Sequence, residues 1–320
     1  VNAMLDGYRR YVDATPTPRI GLSVGYGKKD ALDHIAAAVR AGGIITMATG
    51  SPARAASGIR KSPGKNLPAA MAFQSLSINL PRLAYESNRD ETYFRAKLAL
   101  MIKPALAALA ARKKSVADGA RRGLLPAFAS ATQSMQHASS GIMVNLTGAK
   151  ESVYGILGHE EAGNGAEILQ KVLKTAVEVA AAEGKKLGEE SAAIAMVADD
   201  SAARFATLDS EKYGKVSLVQ SQSTTPVYSQ GMVMSGREML SNAAMAKECA
   251  AIDKALNGGF AAVADVTDLS AADIAGVIEA SSGLAFIRLY TRLAVCAACG
   301  RKYKASLDRC DGCKSPHRLY

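Results

Sequence analysis

Four cysteines lie within eighteen residues, CAACGRKYKASLDRCDGC, from Cys296 to Cys313. Their spacing is Cys-x2-Cys, ten residues, Cys-x2-Cys. Two such pairs on tight turns can aim four thiolates at one point, the donor set of a tetrahedral zinc site. Gly300 and Gly312 are expected to supply left-handed backbone to the two knuckle turns. The residues between the pairs suffice for a small ribbon. With Cys296, Cys299, Cys310 and Cys313 filling all four coordination positions, the metal would be structural rather than catalytic. Disulfides and an iron–sulfur cluster are the alternatives for the same residues.

One further cysteine, Cys249, sits on a helical stretch and reads as a buried core thiol. So sparse a use of sulfur argues for a reducing compartment, the cytoplasm. His34, His137, His159 and His317 share no metal-like spacing, and His317 is a fifth candidate ligand beside the ribbon. Asp199 and Asp200 in VADDS are candidates for the magnesium of a nucleotide, with a solvated strand end as the alternative. From Thr49 to Pro68 the chain is basic and rich in Gly, Ser and Pro, TGSPARAASGIRKSPGKNLP. Long ordered loops are uncommon unless they serve a function. Arg54, Arg60, Lys61 and Lys65 among its glycines could cradle an anion. The stretch lacks the spacing of a GK[ST] phosphate loop, and a flexible basic loop is the alternative.

These residues need elements to position them. The chain has 320 residues, 48% hydrophobic and 21% charged, enough for a large core in one large domain or two ordinary ones. Its net charge of +10 suits a phosphate-rich partner, or simply a basic surface. No apolar run reaches the roughly eighteen residues of a membrane-spanning helix. The N-terminus lacks the apolar core of a signal peptide, and its start at Val1 reads as a fragment or a processed chain. ALDHIAAAVRAGG predicts a short helix closed by Gly42, and IITMA a buried strand. FQSLSINL is a strand stopped at Pro81, followed by a long helix, DETYFRAKLALMIKPALAALAARKKSVADGA, kinked at Pro104. SSGIMVNLTG and SAAIAMVAD read as strands on either side of an amphipathic helix over 165–187. SGREMLSNAAMAKECAAIDKALNGG reads as helical to Gly258, FAAVADV as a strand, and SAADIAGVIEASSG as a helix opened by a Ser270–Asp273 capping box. LAFIRLYTRLAV is the last strand. This alternation argues an α/β class with a mainly parallel sheet, barrel-like or doubly wound.

INLPR, followed by AYE and a long helix, resembles the core of the anaerobic, class III ribonucleoside-triphosphate reductases. VNLTGAKESVYGILG, DDSAARFATLDSEKYG and the four-cysteine tail are similar to further segments of that family, in the same order, over roughly residues 70 to 313. The resemblance implies a ten-stranded α/β barrel threaded by a finger loop, here residues 49–68. Residues 1–290 would be part of that barrel and 291–320 the zinc ribbon. It also implies reduction of ribonucleoside triphosphates to deoxyribonucleotides. In that chemistry a glycyl radical generates a thiyl on a finger-loop cysteine, and the thiyl abstracts the ribose 3′ hydrogen. A radical-SAM activating enzyme, a homodimer and ATP or dATP effectors belong to the same picture, with zinc bracing the glycyl-radical segment. Asn79 corresponds to the family's asparagine near the substrate ribose, where its amide could meet a hydroxyl; closing a strand end is the alternative. Arg82 could grip phosphate or form a structural salt bridge.

Two departures stand out. TGSPARAASGIRKSPGKN holds no cysteine, and none occurs before Cys249. Ser51 or Ser57 cannot substitute, because a serine O–H bond is too strong for a reversible radical relay. The family's radical glycine follows the zinc site, whereas KSPHRLY runs to Tyr320 without one. The expectation is a divergent member, a C-terminal portion, that has lost nucleotide reduction or performs it with help. A non-catalytic nucleotide-binding or regulatory relative is the alternative. A nucleic-acid-binding zinc-ribbon protein is weaker, since six Phe, eleven Tyr and no Trp leave no aromatic-rich basic face.

Overall fold

Strands and helices alternate along the computed structural model, which describes residues 1–27, 29–48, 71–126, 140–158, 165–214, 216, 226–304 and 308–316. The expected finger-loop region 49–68, with Arg54, Arg60, Lys61 and Lys65, lies outside them, as do His137, His159 and His317. The chain opens with α1 (Asn2–Ala14), β1 (Gly21–Gly25), α2 (Leu32–Arg40) and β2 (Ile44–Ala48). Then come β3 (Met71–Asn79), α3 (Leu80–Ser87), α4 (Glu91–Arg121), β4 (Ser140–Thr147) and α5 (Ala149–Leu157). α6 (Gly165–Lys186), β5 (Ala193–Ala195), α7 (Ser201–Tyr213), β6 (Met232–Ser235) and α8 (Gly236–Ser241) follow. The last elements are α9 (Ala243–Ala255), β7 (Ala262–Asp265), α10 (Ala271–Ala280), β8 (Phe286–Tyr290), β9 (Ala294–Val295) and β10 (Lys302–Tyr303).

The stretch read as one helix up to Gly258 is two. Asn242 interrupts it, its side-chain oxygen accepting from the Ala244 N–H at 3.0 Å, a local alternative to the helical hydrogen bond. The Ser270–Asp273 capping box is present in full.

The chain divides into two units. One comprises Val1–Ala53, Val233–Ala250 and Ala262–Tyr320. It holds the sheet β1-β2-β8-β7-β6 and the two-stranded ribbon β9-β10. Within the sheet, β1 runs parallel to β2 and β7 to β8, while β2 meets β8 antiparallel. Helix α1 buries Leu5, Tyr8 and Val12. The Tyr8 hydroxyl accepts from the Ile44 N–H at 2.9 Å and donates to the Ile20 carbonyl at 2.7 Å, which ties α1 to the start of β2. Helix α2 stops where Gly42 turns left-handed, at φ +95°.

The other unit comprises Arg54–Met232 and Ala251–Ala261. Its sheet is β3-β4-β5, parallel throughout, with Asn79 opposite Thr147 and Asn145 opposite Ala195. Gly141 to Thr147 is buried at every position. That is expected of a central parallel strand covered on both faces, and it explains the unbroken apolar reading of GIMV. Helix α4 turns Phe94, Leu98, Ile102, Leu106 and Leu109 into the core, and each such side chain stabilises by about 1.5–3 kcal/mol. Pro104 lies inside it. Between β4 and α5, Gly148 has φ +76°, and a Cβ there would come 2.4 Å from Pro81. Only glycine lets the first turn of α3 approach so closely.

Among the described residues the sheets therefore have five, three and two strands, and one closed ten-stranded sheet is not among them. No helix among these residues is long and apolar enough to cross a membrane.

Candidate functional site

The four tail cysteines converge. Cys296 and Cys313 sulfurs lie 3.7 Å apart, those of Cys299 and Cys310 3.5 Å, and all four fall within 4.8 Å of one another. A tetrahedral ion with metal–sulfur bonds of about 2.3 Å separates its thiolates by about 3.8 Å. The donor set and spacing thus fit one ion such as zinc. They are too wide for disulfide bonds of about 2.05 Å and too close to surround a multi-iron core.

Both knuckles are built alike. The Gly300 N–H reaches the Cys296 carbonyl at 2.8 Å, and the Lys314 N–H reaches the Cys310 carbonyl at 2.8 Å. The Cys296 and Cys310 N–H groups donate to the carbonyls of Arg301 (2.9 Å) and Ser315 (3.1 Å). The left-handed residue is the one after each second cysteine, Gly300 at φ +72° and Lys314 at φ +58°. This corrects the expectation for Gly312, which precedes its cysteine. Gly312 instead lies against Arg301, where a Cβ would come 2.6 Å from the guanidinium carbon.

Cys310 is fully buried. A hydrogen bond from the Tyr303 hydroxyl at 3.1 Å, helped by the Cys313 N–H at 3.5 Å, holds its thiol down to about 6. Cys313 is pushed up to about 11: its bond with the Ser315 backbone works downward, but burial and the three neighbouring thiols outweigh it. Four thiolates so close repel one another, and a bound cation removes that opposition.

A second constellation gathers at the carboxyl ends of β3, β4 and β5, the edge where parallel sheets usually receive ligands. Asn79 is 8% exposed and caps α3, its side-chain oxygen accepting from the Arg82 N–H at 3.1 Å. Its amide donates to Asp209 Oδ2 at 2.8 Å. The Arg82 guanidinium meets Asp209 Oδ1 through Nε at 2.6 Å and Nη2 at 2.5 Å, with a third of the side chain exposed. The Tyr228 hydroxyl completes the shell, donating to Asp209 Oδ2 at 2.9 Å. Burial first, then Tyr85 and Asp209, hold that phenol protonated far above its ordinary range. Asp209 itself is 0% exposed. Sequence reading gave it no role, yet a signal was there: Ala202, Ala206 and Asp209 share the buried stripe of α7. A carboxylate on such a stripe needs donors.

Asp199, expected as a magnesium ligand, is likewise engaged. It accepts from the Ser201 N–H at 2.8 Å, the Asn145 amide at 2.6 Å, the Gln230 amide at 3.3 Å and the hydroxyls of Ser77 and Ser201. Asp200 is exposed at the start of α7. Asn145 also bridges to the Val197 backbone, donating at 3.0 Å and accepting at 2.8 Å. Burial works against a charged Asp199, but the bonds from Ser201, Ser77 and Asn145 outweigh it and hold the carboxyl below the usual range. A depressed folded value means the network stabilises above the unfolded carboxylate range, and that contribution is lost as pH falls through the folded value. Asp199→Asn is expected to flatten the acid limb of a stability profile measured by urea unfolding between about pH 2 and 6. An acid limb as steep as the parent's would contradict this.

The remaining candidates have structural settings. His34 bonds Asp6 at 2.8 Å between α2 and α1, and Cys249 is fully buried.

A family model described as anaerobic ribonucleoside-triphosphate reductase matches residues 38–319. No curated protein matches. Among solved structures, the chain is similar to an anaerobic ribonucleotide reductase from Thermotoga maritima in complex with dATP and CTP, at 17% identity and TM-score 0.71, over 100% of this chain and 56% of that one. The same organism's enzyme with dATP bound in the specificity site gives 19% and 0.72, over 100% and 57%. A further anaerobic ribonucleotide reductase gives 19% and 0.72, over 100% and 54%. The chain thus spans little more than half the length of these structures, and at such identities the likeness shows the fold.

Proposed function

Since the chain belongs to the anaerobic ribonucleoside-triphosphate reductase family, we propose that it receives a ribonucleoside triphosphate at the carboxyl ends of β3, β4 and β5 and serves its radical reduction to the deoxyribonucleotide. The observation that carries this reading is the convergence there of Asn79, Arg82 and Asp209 on parallel strand ends. In this proposal the spare N–H of Asn79 faces the ribose, and the exposed part of Arg82 adds positive charge for phosphate. Arg54 and Arg60, outside the described residues, are further candidates for phosphate by their charge alone. Zinc on the four thiolates supplies a structural brace. The ten-stranded barrel, the glycyl radical, the radical-SAM activating enzyme, ATP or dATP effectors, the homodimer and a cytoplasmic setting belong to the same proposal, by family resemblance.

One observation favours a second reading, a nucleotide-binding relative without turnover: no cysteine precedes Cys249, so this chain brings no thiol to the finger-loop stretch. Anaerobic incubation of the intact protein with its activating enzyme and each ribonucleoside triphosphate separates the two. Deoxynucleotide formation supports reduction. Saturable binding of ATP or CTP by fluorescence without product supports the second reading. Failure to bind any nucleotide overturns both, and steep salt-dependent DNA binding in its place would point to the zinc ribbon as a nucleic-acid module.

A further inference from the structure

The ribbon has an attachment that neither nucleotide chemistry nor metal ligation requires. Lys302, on β10, sends its ammonium group to the carbonyls of Val12 and Ala41, the latter at 3.4 Å. Val12 lies in the last turn of α1, and Ala41 caps the end of α2. Two helices thus end on one cation, where last-turn carbonyls and the negative dipole ends favour it; the Val12 carbonyl also accepts from the Thr15 N–H at 3.3 Å. Burial pushes the Lys302 ammonium down, with Asp13 working in the opposite direction. Two apolar contacts flank this bond. A Cβ on Gly300 would come 2.4 Å from Pro16, just after α1, and one on Gly42, just after α2, would come 2.7 Å from Leu293.

We propose that the four-thiolate knuckle is a metal-dependent latch on the α1–α2 pair: occupancy by metal fixes the ribbon, and the ribbon, through Lys302, Gly300 and Leu293, fixes the carboxyl ends of both helices. The ribbon's two strands have two residues each, too few to hold a hairpin without the ion. Losing the ion therefore withdraws the cation and both apolar contacts from residues more than 250 positions away in sequence. The remainder of α1 stays anchored by Tyr8 on Ile20 and Ile44, so the release is local to the helix ends.

The test is hydrogen exchange on the intact chain, loaded with zinc and after chelation. Exchange is expected to rise on the order of tenfold in peptides covering 10–16 and 37–43, and to stay unchanged over 142–147 in β4. Coupling is reciprocal, so Lys302→Met is expected to weaken zinc binding about fivefold or more in competition with a chromophoric chelator. Leu293→Ala should act in the same direction. Unchanged exchange at the helix ends, equal loss of protection over 142–147, or Lys302→Met and Leu293→Ala variants that bind zinc like the parent would each overturn the latch.

Discussion

Replacing Cys310 by serine is expected to cost the chain its metal. Cys310 is the fully buried ligand, and the Tyr303 hydroxyl and the Cys313 N–H hold its thiol down to about 6, which favours the thiolate form that a metal takes. A serine hydroxyl stays protonated there, is shorter, and is a poor ligand for a soft-leaning ion. Structural four-ligand sites derive much of their folding free energy from the metal, and losing one of four thiolates should lower affinity on the order of a hundredfold or more. Zinc content after dialysis against a mild chelator should fall from one per chain to near zero. Cys249→Ser, in the core and away from the knuckles, should keep its zinc. A Cys310→Ser protein that retains one zinc at parental affinity would remove the ion from this part of the fold.

The second large effect falls on Asp209. Its carboxylate is 0% exposed and serves Asn79, Arg82 and Tyr228 together. Removing one partner of a buried charge network typically costs about 3–5 kcal/mol, because the groups left behind stay buried and unpaired. Arg82 is one-third exposed and can recover some hydration, which places Asp209→Ala near the lower end, about 3 kcal/mol. Tyr228→Phe deletes one donor and should cost about 1 kcal/mol. Urea unfolding measures both. Should Asp209→Ala lie within about 0.5 kcal/mol of the parent, the network would be shown to contribute little.

What could be read in advance follows from how far apart the interacting residues lie. The knuckles were legible because each uses a few consecutive residues. The capping box at Ser270, the stop at Gly42 and the amphipathic stripe of α6 are local in the same sense. Strands β2 and β4 announced themselves as apolar runs. By contrast β1, GLSVG, is bounded by its own glycines and carries one buried side chain, Val24. It becomes a strand only by pairing with β2. Helix α3 was hidden because Pro81 reads as a strand stop, although proline also suits a first helical turn. At the candidate site, Asn79 and Arg82 were named from the INLPR motif, but their common partner lies about 130 positions away. No spacing rule reaches that far, and only the misplaced polarity of Asp209 on a buried stripe hinted at it.

Strand β8 lies between β2 and β7, at the centre of its five-stranded sheet. β2 ends at Ala48, and β8 begins at Phe286. On the ribosome, at roughly 5–20 residues per second, the nascent β2 waits on the order of tens of seconds for the neighbour that closes its open edge. Over that interval Ile45 and Met47, almost wholly inaccessible in the finished protein, belong to an unfinished edge that can pair with another chain. Until β8 has emerged, the newly made chain is expected to be open to chaperones and to edge pairing with other chains.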